Sequence, residues 1–255
     1  YGAPVYDLLG GKMRDAVPLA WGIYQKAPDA MAADAAQAVA AGFRALKLKV
    51  GRDLETDRQA VRAVTEATQH AIPLRLDANL AWRTVPEAAR AIGTLAPEAP
   101  IAWIAPPLGR RDLDGLRLLR TRARVPIMAD ESLQSLRDAY DLARAEAVDV
   151  FNVYVVEAGG LQAARDIVTF GSTVGIPAIL GSQAELGIGT AAAAHLAVAL
   201  PNLPYPIETF GPLRYPADVV TTGWTIERGM LAPNDAPGLG VELNWDVVNE
   251  WRVEI

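Results

Sequence analysis

A (β/α)7β barrel of the TIM type is the fold class this α/β sequence predicts, and three observations predict it. Eight short apolar strand patterns alternate with seven helical patterns over residues 16–210. The loops between them are short, which suits parallel strands joined by crossover helices. At 255 residues the chain matches a single closed barrel, a fold that commonly runs to about 250 residues, better than an open doubly wound sheet. The strands are mostly apolar, as strands buried on both faces are.

The elements follow in order. Ala16-Val-Pro-Leu-Ala-Trp-Gly22 reads as a buried strand. An alanine-rich helix starts at Pro28 and runs to 41, where Gly42 stops it. Then come strand 44–50, helix 53–68, strand 73–79, helix 85–95 and strand 101–105. Helix 112–122, strand 126–131, helix 136–147 and strand 149–155 continue the alternation. Helix 161–174, strand 177–181, helix 188–200 and strand 206–210 complete it. The run Ala191–Ala194 reads as a close-packed helix. Beyond Phe210 the pattern fails, and a Gly/Pro-rich stretch from Ala232 to Val241 leads to Trp245 and Trp251. Two tryptophans are costly to leave in water, so this tail is expected to pack on the barrel. The expected division is therefore a linker-like segment 1–15, a barrel 16–210 and a packed tail 211–255.

Composition excludes several functions. Hydrophobic residues make up 51% and charged residues 21%, the balance of an ordinary globular protein. No run of about 18 apolar residues occurs, so no spanning helix is expected. A formal charge of −6 gives no general attraction for nucleic acid or an anionic membrane. The absence of cysteine removes disulfides, zinc–thiolate sites and thiol catalysis, and leaves the cytoplasm as the default location. The chain opens at Tyr1 without an initiating methionine or a signal-peptide pattern, which points to a processed product, an engineered form or a portion of something longer.

Strand side chains alternate with period two. Lys47 and Lys49 therefore share one face of strand 44–50, Leu46, Leu48 and Val50 the other. In a barrel the aliphatic face meets the helices and the lysines face the axis. The same parity turns Arg75, Asp77 and Asn79 inward on strand 73–79, Met128, Asp130 and Ser132 inward on the fifth strand, and Val150, Asn152 and Tyr154 inward on the sixth. These charges gather at carboxyl ends of strands, where barrel enzymes build their sites. Two adjacent inward lysines lower each other's pKa, and burial pushes the same way, which would make one a general base near neutral pH. The competing reading pairs both lysines with Asp77 and Asp130 as internal ion pairs. Asp77 and Asp130 are also candidate ligands for a hard divalent cation. His70 reads as a surface residue and His195 as a packed structural one. Gly181-Ser-Gln-Ala-Glu185 lacks the glycine-rich cradle of a phosphate site. Trp21 and Tyr24 suit either the barrel mouth or the core.

Taken together, these motifs resemble the barrel domain of the enolase superfamily, in the branch of muconate-lactonising enzymes, mandelate racemase and acyl amino acid racemases. The resemblance rests on Gly42-Phe43 leading into Lys47-x-Lys49, Asp77-x-Asn79, Trp103-Ile104, Ala129-Asp-Glu-Ser132, and Asp149 leading to Gly159-Gly160. Glu185 before Gly187-Ile-Gly189 and the stretch Pro237-Gly-Leu-Gly-Val-Glu242 extend it over nearly the whole chain. It implies proton abstraction α to a carboxylate, with Lys49 as base, Lys47 as its pKa-lowering neighbour and carboxylate partner, and Glu185 as an acid near the substrate. It implies Mg2+ held by Asp77 and Asp130, with Glu131 and Asn79 behind them.

Two positions depart from the family pattern. Ala105, followed by Pro106, stands where a third carboxylate ligand is expected, so magnesium binding should be weak or absent. Tyr154 stands where the branch carries a lysine on the opposite face of the substrate. Residues 1–15 resemble only the linker that follows the family's N-terminal capping domain, so the expectation is either a fragment of a longer chain or a barrel that works with an open mouth. The resulting expectation is a divergent isomerase or lyase of cycloisomerase, racemase or dehydratase type. Its partner would be a small carboxylate, with no nucleic acid and no membrane, in a chain able to form a homo-oligomer. The alternatives are a non-catalytic or engineered binding barrel and a Schiff-base lyase acting through Lys49.

Overall fold

The computed structural model describes residues 1–253. One helical turn, α1 (Val5–Leu8), and a two-residue strand, β1 (Val17–Pro18), come first. Strands β2 (Trp21–Ile23), β3 (Leu46–Lys49), β4 (Leu74–Asp77) and β5 (Ile101–Ala105) then form one parallel ladder. Strands β6 (Met128–Ala129), β7 (Val150–Val153) and β8 (Ala178–Leu180) form a second. Between successive strands lie the helices α2 (Pro28–Ala40), α3 (Leu54–Ala67), α4 (Val85–Leu95), α5 (Leu113–Arg122), α6 (Leu136–Arg144) and α7 (Leu161–Thr173). Helix α8 (Gly187–Ala199) follows β8. No described helix is long and apolar enough to cross a membrane.

The ladders are linked on both sides. Ile104 bridges to Ile127 between β5 and β6. On the other side Glu208 donates its N–H to the Leu180 carbonyl at 2.8 Å, while Ile207 exchanges backbone bonds with Pro18 and Ala20 at 2.9 and 2.8 Å.

Two predicted strands differ from the structure here. The stretch 16–22 is two strands, because the chain changes partners after Pro18, a residue with no N–H to continue a ladder. β1 pairs antiparallel with a strand of the tail, and β2 parallel with β3. The stretch 206–210 makes a single bridge at Ile207 rather than a regular strand, since Pro206 removes the donor at its start.

Side-chain caps start four of the helices that connect the parallel strands. Asp53, Thr84, Asp112 and Ser135 accept the backbone N–H of Thr56, Glu87, Gly115 and Asp138, each satisfying one of the free donors of a first turn. Apolar residues fall into two groups. Leu46, Leu48, Leu74, Leu76, Ile104 and Phe151 pack outward with Ala35, Val61, Val64, Ala88, Leu95 and Leu116 of the helices. A separate small cluster, Trp103, Ala105, Met128, Val150 and Ile179, lies on the opposite side of the strands. The strands are thus buried on both faces.

The tail forms β9 (Val220–Thr222), β10 (Trp224–Glu227), β11 (Met230–Pro233), β12 (Glu242–Leu243) and α9 (Trp245–Trp251). β11 pairs antiparallel with both β10 and β1, and Leu231 is fully buried between them. The tryptophans expected to anchor this tail do not: Trp245 is 61% and Trp251 38% exposed. The short helix that carries them buries no residue. Residues 254 and 255 of the predicted tail lie outside the described residues.

Candidate active site

Register sets the geometry of the site. Lys47 lies beside Arg75, Lys49 beside Asp77, and Asp77 beside Ala105 on neighbouring strands. Lys47 Nζ sits 3.2 Å from Asp77 Oδ2 and Lys49 Nζ 2.7 Å from the same oxygen. Lys49 also donates to Asn79 Oδ1 at 2.7 Å, and Asn79 Nδ2 reaches Glu131 Oε1 at 3.4 Å. Asn79 holds a left-handed backbone (φ 43°) and gives its own N–H to Asp77 Oδ1 at 3.0 Å. The Tyr154 hydroxyl faces the Asp130 carboxylate and accepts from Asn152 Nδ2 at 3.1 Å. A side chain at Gly181 would force its neighbours to move, since a Cβ would fall 2.4 Å from Asn152 Oδ1 and 2.8 Å from the Tyr154 ring.

One residue of the cluster was not singled out from the sequence. Glu208 is 1% exposed, and its carboxylate lies 2.5 Å from Lys47 Nζ and 3.3 Å from Arg75. Arg75 in turn lies over the Trp103 ring at 4.4 Å and donates to the Pro206 carbonyl at 2.9 Å. The period-two rule that turned Lys47 inward also applies within Ile207-Glu208-Thr209, and would have found it.

Electrostatics correct the expectation for the first lysine. Burial alone would lower the Lys47 pKa, but the charges of Glu208, Asp77 and Asp130 outweigh burial and hold it above the ordinary lysine value. Lys47 is thus a held cation, as the competing ion-pair reading has it, and not a lysine whose pKa its neighbour lowers. Asp77 would be raised by burial, yet Lys47 and Lys49 keep it below the usual carboxylate range. Asp130 is pushed up to about 7 by burial, with Asp77 and Glu131 adding to the effect and Lys47 opposing it. Burial, then the Asp130 charge, drives Tyr154 well above an ordinary phenol.

Two cavities meet at Lys49. An inner one of about 220 Å³ is lined by Gly22, Tyr24, Lys47, Lys49, Ser182 and Phe210. An outer one of about 590 Å³ is lined by Tyr24, Lys49, Arg52, Asn79 and Ala81. Glu185 points elsewhere: its carboxylate accepts from Ser182 Oγ and from the Gln183 N–H at 3.0 Å, within its own loop. Trp21 packs on Phe43 and bonds Asp34, on the helix side, whereas Tyr24 lines the mouth. His195 is fully buried and stacks on Tyr6, and His70 is exposed. A further cavity of about 480 Å³ lies by Pro177 and Pro201. There the Arg14 guanidinium is engaged by the carbonyls of Ala197, Leu200 and Pro201.

The donor set does not fit magnesium. That ion demands near-octahedral oxygen ligation, whereas Asp77 Oδ2 is taken by two ammonium groups and Asp130 faces a phenol. Across from Asp77 the strand ends in the methyl group of Ala105. Among the described residues no three acids or histidines converge in a metal-holding group.

A profile of the family described as enolase C-terminal domain-like matches residues 30–247. The chain belongs to the mandelate racemase and muconate-lactonising branch of the enolase superfamily. Within that branch it is 36% identical to muconate cycloisomerase 1-2 of Acinetobacter lwoffii over 98% of its own length and 65% of the relative's. Muconate lactonising enzyme from Pseudomonas fluorescens, solved with muconolactone, superposes with a TM-score of 0.94 at 33% identity, covering 99% of this chain and 68% of that one. Dipeptide epimerase from Cytophaga hutchinsonii, solved with Mg and the dipeptide D-Ala-L-Val, gives 0.90 at 32% identity over 98% and 67%. These superfamily members share the TIM-barrel-like domain, and this chain spans about two thirds of their length.

Proposed function

We propose that this chain is the barrel portion of an isomerase that abstracts a proton α to a substrate carboxylate, with Lys49 as the base. The observation that carries this reading is the convergence on Asp77 of Lys47 and Lys49, which both line the inner cavity. Lys49, in its deprotonated form, takes the α-proton. Lys47, held charged by Glu208 and Asp77, meets the carboxylate on which the electron pair spreads. Tyr154, with its raised pKa, is a donor and not a base, and returns a proton from the other side of the axis. No step is routed through a metal ion. Glu131 and Asn79 orient Lys49, while Glu185 contributes through the shape of its loop.

The proposed organisation is a linker-like segment 1–15, a closed barrel 16–210 and a tail from 211. Closure is supported by the backbone bonds at Ile207 and Glu208. A capping segment over the mouth, of the kind implied by the relatives' extra third, completes the proposed enzyme. The substrate is proposed to be a small carboxylate, on the analogy of the dipeptide and muconolactone held by the two solved relatives.

Exchange of the α-proton in deuterated solvent, followed by NMR across dipeptides, N-acyl amino acids and muconolactones, tests the reading. Lys49→Met should lower exchange by about 10²–10⁴-fold, the usual contribution of a general base. Exchange that survives this substitution unchanged, or is absent across the panel in a capped chain, would remove Lys49 from the role.

A further inference from the structure

The Lys47 ammonium sits in a nest of carboxylates, 2.5 Å from Glu208 and 3.2 Å from Asp77. Asp130 is close enough to act on its charge. Around it Lys47, Lys49 and Arg75 face Asp77, Asp130 and Glu208, with Glu131 reached through Asn79. A divalent ion brought into this set would have to displace ammonium groups from Asp77, and β5 supplies Ala105 where a further carboxylate would have to stand. A buried, uncompensated charge is strongly unfavourable.

We infer that the Lys47 ammonium is the resident cation of this site and occupies the electrostatic place of a divalent ion. The inference rests on the proposed reaction for its chemical purpose and on geometry for its existence. In that reaction the α C–H bond breaks, the proton passes to the Lys49 amine, and the electron pair adds a second negative charge to the substrate carboxylate. A fixed cation in a site shielded from water stabilises such developing charge far more than it would in bulk solvent. Lys47 meets this need without a binding equilibrium, because β3 tethers it in register with Arg75 and Gly22. Glu208, 2.5 Å from Nζ, shares the ammonium with Asp77.

The test uses the whole chain, with Mn2+ as the probe, and reads metal uptake by electron paramagnetic resonance and stability by thermal melting. The parent chain is expected to leave the free Mn2+ signal undiminished and to melt identically in chelator and in millimolar Mg2+. Lys47→Met is expected to melt about 10 °C lower, the size of change that loss of one partner of a buried pair brings in a chain of this length. Lys47→Met combined with Glu208→Gln should recover at least half of that loss, because the orphaned acid is neutralised. A single variant too unstable to fold counts with the expected loss only if the double variant folds.

Stoichiometric Mn2+ uptake by the parent, a Lys47→Met variant that melts with the parent, or a double variant no more stable than the single one would each overturn the inference. None of these readouts is turnover. A chain that takes up no Mn2+ and exchanges no α-proton would therefore discard the proposed reaction alone. One that exchanges protons and takes up Mn2+ would discard this inference alone.

Discussion

On β3 and β4 the buried charges meet opposite charges, whereas on β7 and in the turn after β6 several buried polar atoms have none to meet. Lys47, Lys49, Arg75 and Asp77 are joined to one another through Asp77 and Glu208 at 2.5 to 3.3 Å. Opposite them, Glu131 Oε2, Ser132 Oγ and Asn152 Oδ1 are buried without a protein partner. Buried polar groups are nearly always hydrogen-bonded. The satisfied half of the interior is therefore the part that holds itself together, and the unsatisfied half is the part with donors and acceptors to spare for water or a ligand.

The comparison breaks most readily at Glu208. Glu208→Ala leaves two buried cations short of a partner and should cost about 3–5 kcal/mol in denaturant unfolding. A loss below one would mean that the first half is not held by these pairs. Ala105→Glu has the next largest effect. The new carboxylate points inward beside Asp77, so the variant should be less stable than the parent in chelator and gain Mg2+ affinity. At a hundredfold excess of Mg2+ over Kd the ion should return about 2.7 kcal/mol, read by calorimetry and melting together. No gain would place the divergence of the site beyond this one position.

Gly181→Ala sharpens the other half. Its methyl group would collide with Asn152 and Tyr154, so a cost of about 1–3 kcal/mol is expected from overpacking, with the Tyr154 ring visibly displaced in a crystal structure. An unchanged midpoint would show that this half has room to give. Arg62→Ala is the smallest perturbation. Arg62 and Glu66 form an exposed pair on α3, and the unfolding midpoint should not move, because exposed pairs contribute little.

The legible parts of this fold were those governed by a period. Alternation of apolar strands with capped helices gave the order of the elements, and inward parity brought Lys47, Lys49 and Asp77 to one oxygen. What escaped depends on neighbours that periodicity does not name. The raised pKa of Lys47 comes first from Glu208, which lies 161 positions away in sequence, and only then from Asp77 and Asp130, the acids that the competing ion-pair reading named. Glu185 sits in a loop, where no period directs a side chain, and it turned to Ser182. Trp245 and Trp251 were assigned by hydrophobicity alone, which says what burial would gain and not whether a surface is within reach. Ala105 was legible only as a departure from a motif. The structure gives that departure a physical meaning, because Asp77 already has the two lysines for company.

The seam that joins the first and last parts of the chain bears on the timing of synthesis. Tyr6 donates to Asp235, 229 positions later, and stacks on His195. β1 has its ladder partner in β11. A ribosome delivers the N-terminal half of each contact long before the C-terminal half exists, and at about 5–20 residues per second the wait is tens of seconds. Throughout that interval β1 and the apolar residues of α1 have no cover, and an unpaired strand edge is a template for the wrong partner. Pro18 in β1, and the charged residues Lys12, Arg14 and Asp15 just before it, are the features that oppose such pairing while the nascent chain waits for its own tail.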